Sequence, residues 1–157
     1  MMPTLRNALG RFATGVTIVT CLDANGEPIG LTANSFGALS LEPPLILWSL
    51  RRVSPSLQAF AATRYFAVNV LGASQMELSR RFASSVSDKF ADGVWRAGHG
   101  GVPVLGEAAA LFECEVLSQQ EAGDHMLFIG RVLYFVDGGM PPLLFHAGRY
   151  HGLGEVL

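Results

Sequence analysis

The sequence predicts a single, mainly β domain with a few helices, and three observations carry that prediction. Turn signals recur at short intervals from end to end, and the segments between them are rich in Val, Ile, Leu and aromatic residues. No internal repeat, low-complexity tract or charged linker divides the 157 residues. A chain of this length buries roughly two thirds of its unfolded surface in one core, so one domain over 1–157 is expected.

Taken in order, the strand-like segments are 15–22, 28–33, 45–50, 66–71, 110–119, 125–137 and 143–147. Asp23-Ala24-Asn25-Gly26 joins the first two as a hairpin turn, because Asn-Gly adopts positive φ at little cost. Helices are expected over 5–12, 55–62 and 75–84, the first because Leu5, Leu9 and Phe12 share one face. Ser54 before Pro55 reads as an N-cap ahead of a proline at the first helical position, and Ser74 with Glu77 has the spacing of a capping box. The stretch 86–104, with its glycines, Trp95, His99 and Pro103, has no assignable period and reads as a long surface loop.

Composition narrows the class. Half the residues are hydrophobic and 15% are charged. The mean hydropathy of +0.34 is high for a soluble monomer, so a second subunit is expected to cover apolar surface. The longest apolar runs are strand-sized, well short of the roughly 20 residues of a membrane span. The first 12 residues lack the apolar core and cleavage site of a secretory signal, which points to the cytoplasm. Cys21 and Cys114 lie in apolar runs without zinc or disulfide spacing and read as buried free thiols, so no metal is expected. Net charge is −2, and ten of the 11 basic residues are Arg scattered along the chain, which argues against nucleic acid.

Five constellations could carry chemistry. Thr32, Ala33, Asn34 and Ser35, followed by Phe36 and Ser40, offer mixed donors and acceptors with a small residue that lets a flat ring approach; a polar loop making local turns accounts for the same residues. Leu50 ends a buried strand before Arg51, Arg52, Ser54 and Ser56, where a helix start, hydroxyls and guanidinium groups suit a phosphate; a plain cap with solvated arginines is the competing reading. Arg81 and Phe82 end the third helix, where cations also complement the helix dipole. His125 follows Gly123-Asp124 at the mouth of a strand, as a cofactor-facing group or as a surface histidine in a tight turn. Arg149, Tyr150 and His151 could stack on a base or simply pack the tail. There is no G-x-G-x-x-G after the first strand, no P-loop, no H-E-x-x-H and no G-x-S-x-G, so hydrolase, kinase and zinc chemistry have no support.

With these segments in order, the chain resembles the flavin reductase-like family, the reductase components of two-component flavin monooxygenases. The resemblance rests on 5–17, on Leu31-Thr32-Ala33-Asn34-Ser35-Phe36 with 40–45, and on 66–71. It continues through Arg81-Phe82-Ala83, 101–105, Gly123-Asp124-His125 with Gly130-Arg131-Val132, and Gly148-Arg149-Tyr150-His151. It implies a flavin-binding split β-barrel, working as a homodimer with FMN or FAD near the subunit interface and NADH or NADPH as hydride donor. It implies that Thr32, Ala33, Asn34 and Ser35 line the isoalloxazine, and that Ser40, Leu50, Arg51, Ser54, Ser56, Arg81 and Phe82 hold the ribityl and phosphate portions. His125, Arg149, Tyr150 and His151, with Arg11 and Phe12, would face the nicotinamide. The segment 51–56 is where the resemblance departs, since it varies across the family.

Hydride transfer between two cofactors needs no protein nucleophile, which agrees with the missing triad. The expected activity is NAD(P)H-dependent flavin reduction that supplies a partner oxygenase. A flavin carrier or sensor without turnover, and a flavin-dependent oxidase or oxygenase on the same barrel, are the rival readings.

Overall fold

Alternation in Pro44–Arg51 sends Ile46, Trp48 and Leu50 to one face of a strand, and all three are buried. In Thr17–Leu22 burial is continuous because both faces are covered: Val19 and Cys21 face one core cluster, while Ile18 faces a second. Those two cores organise the computed structural model, which describes residues 4–157.

In chain order the elements are α1 (Leu5–Leu9), β1 (Thr14–Gly15), β2 (Thr17–Leu22), β3 (Pro28–Ala33), β4 (Gly37–Leu41), β5 (Pro44–Arg51), α2 (Leu57–Ala62), β6 (Tyr65–Val70), α3 (Met76–Phe82), β7 (Trp95–Ala97), β8 (Pro103–Leu105), β9 (Ala110–Ala122), β10 (His125–Asp137), β11 (Leu144–His146) and β12 (Arg149–His151). Seven strands form one antiparallel sheet in the order β3-β2-β6-β9-β10-β5-β4. The sheet curls until its two sides meet at Ser35, whose hydroxyl donates to the Ser49 carbonyl at 2.9 Å and accepts from the Ser49 amide at 3.0 Å. Side-chain bonds, not a ladder, make this seam, and the barrel is split there. Inside it Trp48 stacks on Phe128 with ring centroids 5.0 Å apart, and Phe60 meets Trp48 edge-on at 4.9 Å.

The second core lies under α3, where Val16, Ile18, Leu71, Leu78, Phe82 and Leu143 pack together. Gly30 makes that packing possible, because a Cβ there would stand 2.8 Å from the Phe82 ring. Gly130 plays the same part in the barrel, where a Cβ would stand 2.5 Å from Phe66. A buried polar set fixes the β7–β8 hairpin. Asn69 accepts from the Leu105 amide at 2.9 Å, Thr20 donates to the Pro103 carbonyl at 2.6 Å, and Glu113 accepts from the His99 amide.

Several local expectations need correction. The first helix ends at Leu9. The second begins at Leu57, because the Ser54 carbonyl accepts from the Leu57 amide and 54–56 form a turn ahead of it; Ser56 is the N-cap, with no side-chain cap bond. Ser74 and Glu77 form no capping box: Gln75 accepts from the Gly72 amide at 2.8 Å instead, and Glu77 pairs with Arg80. The stretch 86–104 is not a bare loop, since it holds β7 and part of β8. Strand β4 was not expected. Cys21 and Cys114 are buried and free, as expected. Among the described residues no helix is long and apolar enough to cross a membrane.

The longest strands, β9 and β10, are only half matched by neighbours. β5 pairs with β10 from His125 to Arg131, and β6 pairs with β9 from Ala110 to Glu115. Beyond Arg131 the β10 side chains Leu133, Tyr134, Phe135 and Val136 are exposed, Phe135 by 65%.

Candidate active site

Where β3 runs out, the end of β5, the start of α2, the end of α3 and the first residue of β10 surround a cavity of about 500 Å³, within the usual range for a small-molecule site. Thr32, Ala33, Asn34 and Ser35 form one wall, Leu50, Arg51, Ser54 and Ser56 a second, and Phe82, Ala83, Ser84 and Lys89 a third, with His125 at the rim. Residues far apart in sequence meet here because β10 pairs His125 with Arg51, and because α3 lies across β3.

The small polar side chains of the first wall are partly committed to the protein. Thr32 donates to the Ser79 carbonyl at 2.6 Å, tying β3 to α3, and Ser35 makes the barrel seam. Asn34 is exposed into the cavity, so its amide and the backbone of 33–35 are the groups this wall offers to a ligand. Ala33 keeps the approach shallow.

The second wall has no helix-start anion site of the expected kind. Helix α2 begins two residues later than the sequence suggests, and the Ser54 hydroxyl accepts from the Ser56 amide at 3.2 Å. Arg51 and the two serines nevertheless face the cavity.

At the rim, His125 Nδ1 lies 2.7 Å from the Asp124 carboxylate. Since a carboxylate only accepts, Nδ1 carries the proton and Nε2 is the ring nitrogen left for a ligand. The hydrogen bond from His125, then its charge, holds the Asp124 carboxyl below its ordinary value. The turn itself is braced by Arg52, whose amide donates to the Asp124 carbonyl at 2.9 Å and whose guanidinium donates to the Gly123 carbonyl at 3.3 Å.

Other expected site residues lie elsewhere. Phe36 packs into the barrel core, 5.5 Å from the Phe112 ring. Ser40 sits in β4 opposite Leu45, at the far end of the β4–β5 hairpin from the cavity. Arg81 turns away from the cavity onto the backbone of 88–89. Arg11 and Phe12 are exposed beyond α1. Arg149 and His151 lie on β12, outside the cavity. Tyr150 comes close: with Phe145 and Val16 it lines a smaller hollow of about 180 Å³ that shares Thr32, Ala33, Asn34 and Ala83 with the main cavity, and its hydroxyl lies 2.7 Å from that of Ser79.

Lys89 was missed. It is the chain's single lysine, and it sits in the stretch whose sequence has no period. The Asp-Lys pair before an aromatic was the one visible sign of a fixed cation there. Arg51 and Lys89 face the cavity, His125 stands at its rim, and among the described residues no carboxylate lines it. That donor set suits an anionic, flat ligand with hydrogen-bonding edges, as a flavin nucleotide is.

Comparison with known proteins agrees with that chemistry. The flavin reductase like domain family matches residues 9–154. The chain is 47% identical over 146 residues to a probable flavin reductase of Rhizobium meliloti (strain 1021), covering 93% of this chain and 47% of that protein. It is 43% identical over 147 residues to SmoA of Agrobacterium fabrum, an FMN reductase (NADH), covering 94% and 83%. The solved structure of the Streptomyces globisporus NADH:FAD oxidoreductase SgcE6, in complex with NAD and FAD fragments, superposes with a TM-score of 0.90 at 38% identity, covering 96% of this chain and 91% of that one. The chain spans about half the length of the Rhizobium protein and of another curated relative. The match over nearly the whole chain places it in the flavin reductase like domain family.

Proposed function

We propose that the chain is an NAD(P)H-dependent flavin reductase that works as a homodimer and supplies reduced flavin to a partner oxygenase. The observation that carries the reading is the cavity with Arg51 and Lys89 on its walls, His125 at its rim and, among the described residues, no carboxylate, opening beside the Asn34 wall. A flavin bound here would take up hydride from a reduced nicotinamide, which leaves orientation and charge as the protein's task. The backbone of 33–35 and Asn34 hold the pyrimidine edge of the ring, and Ala33 allows it to lie close. Arg51, Ser54 and Ser56 with Lys89 hold the phosphate portion. His125, fixed by Asp124, presents Nε2 to the nicotinamide, and Tyr150 closes the hollow behind the first wall. Arg11, Phe12, Arg149 and His151 lie outside this cavity and serve the site only if a second subunit brings them to it.

Several curated relatives support the pairing with an oxygenase by their names, among them the reductase subunit HsaB of a flavin-dependent monooxygenase from Mycobacterium tuberculosis. The exposed Leu133–Val136 run supports the dimer. The test is anaerobic bleaching of FMN, FAD or riboflavin by NADH or NADPH without organic substrate, at catalytic protein concentration. Turnover with at least one pair is expected, and the four nucleotide pairs compared side by side give the preference. Flavin binding without consumption of either nicotinamide would leave a carrier.

A further inference from the structure

Lys89 reaches the cavity from a segment with no strand to hold it. Its ammonium donates to the Phe82 carbonyl at 3.2 Å and the Gly30 carbonyl at 3.5 Å, and among the described residues it has no carboxylate partner. An ammonium has three N–H groups, so one is left without a protein acceptor in a cavity that lacks anions.

The backbone on either side of that lysine is held by Arg81. Its Nε donates to the Lys89 carbonyl at 2.9 Å, and one terminal nitrogen donates both to the Asp88 carbonyl and, at 3.0 Å, to the Asp88 carboxylate. Arg81 does not line the cavity. Two of its three guanidinium nitrogens are thus committed to the loop.

We propose that Lys89 is the cation that selects phosphorylated over unphosphorylated flavin, and that Arg81 is a positioning residue which acts through Lys89 without touching the ligand. This rests on the reading of the cavity as a flavin site. Two cations on neighbouring elements then have unequal roles: one meets the phosphate, and the other fixes the loop that carries the first. Gly30 belongs to the same device, since its lack of a side chain admits Phe82 and its carbonyl anchors the ammonium.

The single lysine makes a direct test possible. Acetylation of Lys89 by an amine-selective reagent, read by peptide mass spectrometry, should slow about tenfold with saturating FMN or pyrophosphate and less than about twofold with riboflavin. Lys89→Met should weaken FMN binding about 10- to 100-fold, with riboflavin within about twofold of wild type, while Lys89→Arg keeps most of the preference. Arg81→Gln should weaken FMN about 3- to 10-fold in the wild-type background and add nothing in the Lys89→Met background. An FMN preference that survives Lys89→Met overturns the assignment of Lys89. Equal losses from Arg81→Gln in both backgrounds overturn its positioning role, because they mean direct contact. If neither flavin binds wild type while pyrophosphate still protects Lys89, the flavin reading falls and the anion assignment stands; if FMN and riboflavin bind equally and pyrophosphate gives no protection, the reverse holds.

Discussion

The two ends of β10 share one backbone geometry and differ in everything else. From His125 to Arg131 the strand lies between β5 and β9, and it delivers His125 to the cavity rim. From Leu133 onward it pairs with β9 alone and exposes Leu133, Tyr134, Phe135 and Val136. The unmatched half of β9 makes the contrast sharper, because there the sequence is Leu117-Ser118-Gln119-Gln120-Glu121-Ala122. A free edge meant for water is polar; a free edge with an aromatic pair and two aliphatics is built to be covered. On the function proposed above, the site end and the apolar end answer to different partners, a small ligand and a second chain.

That contrast can be broken most directly at the apolar end. Phe135→Arg should weaken self-association by about 30- to 1,000-fold, the range for loss of a central aromatic anchor. Gln119→Arg on the polar edge of β9 should leave it unchanged. Light scattering across a dilution series reads both, and a wild-type mass near 16.8 kDa at micromolar concentration would remove the distinction altogether.

At the other end, His125→Ala should lower the second-order rate of flavin reduction by NAD(P)H about 5- to 150-fold, with flavin affinity changed far less. Asn34→Ala should show the opposite split. Single-turnover reduction beside fluorescence quenching separates the two effects. A His125→Ala variant as fast as wild type at subsaturating nicotinamide would make that histidine an ordinary turn residue.

Between the ends, Gly130→Ala tests how far the strand is a single rigid piece. The added methyl would press on the Phe66 ring, 2.5 Å from the new carbon, at a cost of about 1 to 3 kcal/mol. A lower urea midpoint with an unchanged slope is expected. No shift in midpoint would mean that Phe66 moves aside freely.

The smallest effect is read through the thiols. Cys114 pairs with Val132, just where β10 leaves β5. Burial, followed by the charge of Glu113, pushes the Cys114 thiol up to about 12, and burial with Asp23 pushes Cys21 up to about 12, from an ordinary 9.0. The unfolded chain therefore loses these protons first. Their contribution to stability is complete below pH 9.0 and is lost as pH rises toward about 12. In the native protein Cys114 should react with Ellman's reagent no faster than Cys21, and faster labelling of Cys114 alone would show the apolar half opening by itself.

Period and turn chemistry made most of the barrel legible. Strands β2, β3, β5, β6 and β10 announce themselves by Val, Ile and aromatic residues, and Gly26 at φ 77° ends the first hairpin as Asn-Gly suggests. Strand β4 was hidden because Gly37-Ala38-Leu39-Ser40-Leu41 is half exposed and runs straight into two prolines. The β7–β8 hairpin was hidden because long-range bonds from Asn69, Thr20 and Glu113 hold it, and no local pattern records those. The cavity was legible where residues of one segment face it together, as at Thr32–Ser35. Elsewhere a side chain of the expected type is engaged by the protein itself: Phe36 by the core, Arg81 by a loop, the Ser35 hydroxyl by the seam. Lys89 escaped because its place is set by Arg81, which contacts it only in three dimensions.

The order of the sheet also governs how the chain comes together. β9 and β10 are joined by the two residues Gly123 and Asp124, so their hairpin closes across almost no intervening chain. Yet in the sheet they lie between β6 and β5, strands that leave the ribosome well before them. Until the hairpin arrives, β2, β3 and β6 on one side and β4 and β5 on the other have no strand between them. The hairpin is therefore expected to form early in refolding and to join the two halves of the sheet. A bulky residue at Gly123, where φ is 61°, should accordingly slow refolding more than it hastens unfolding.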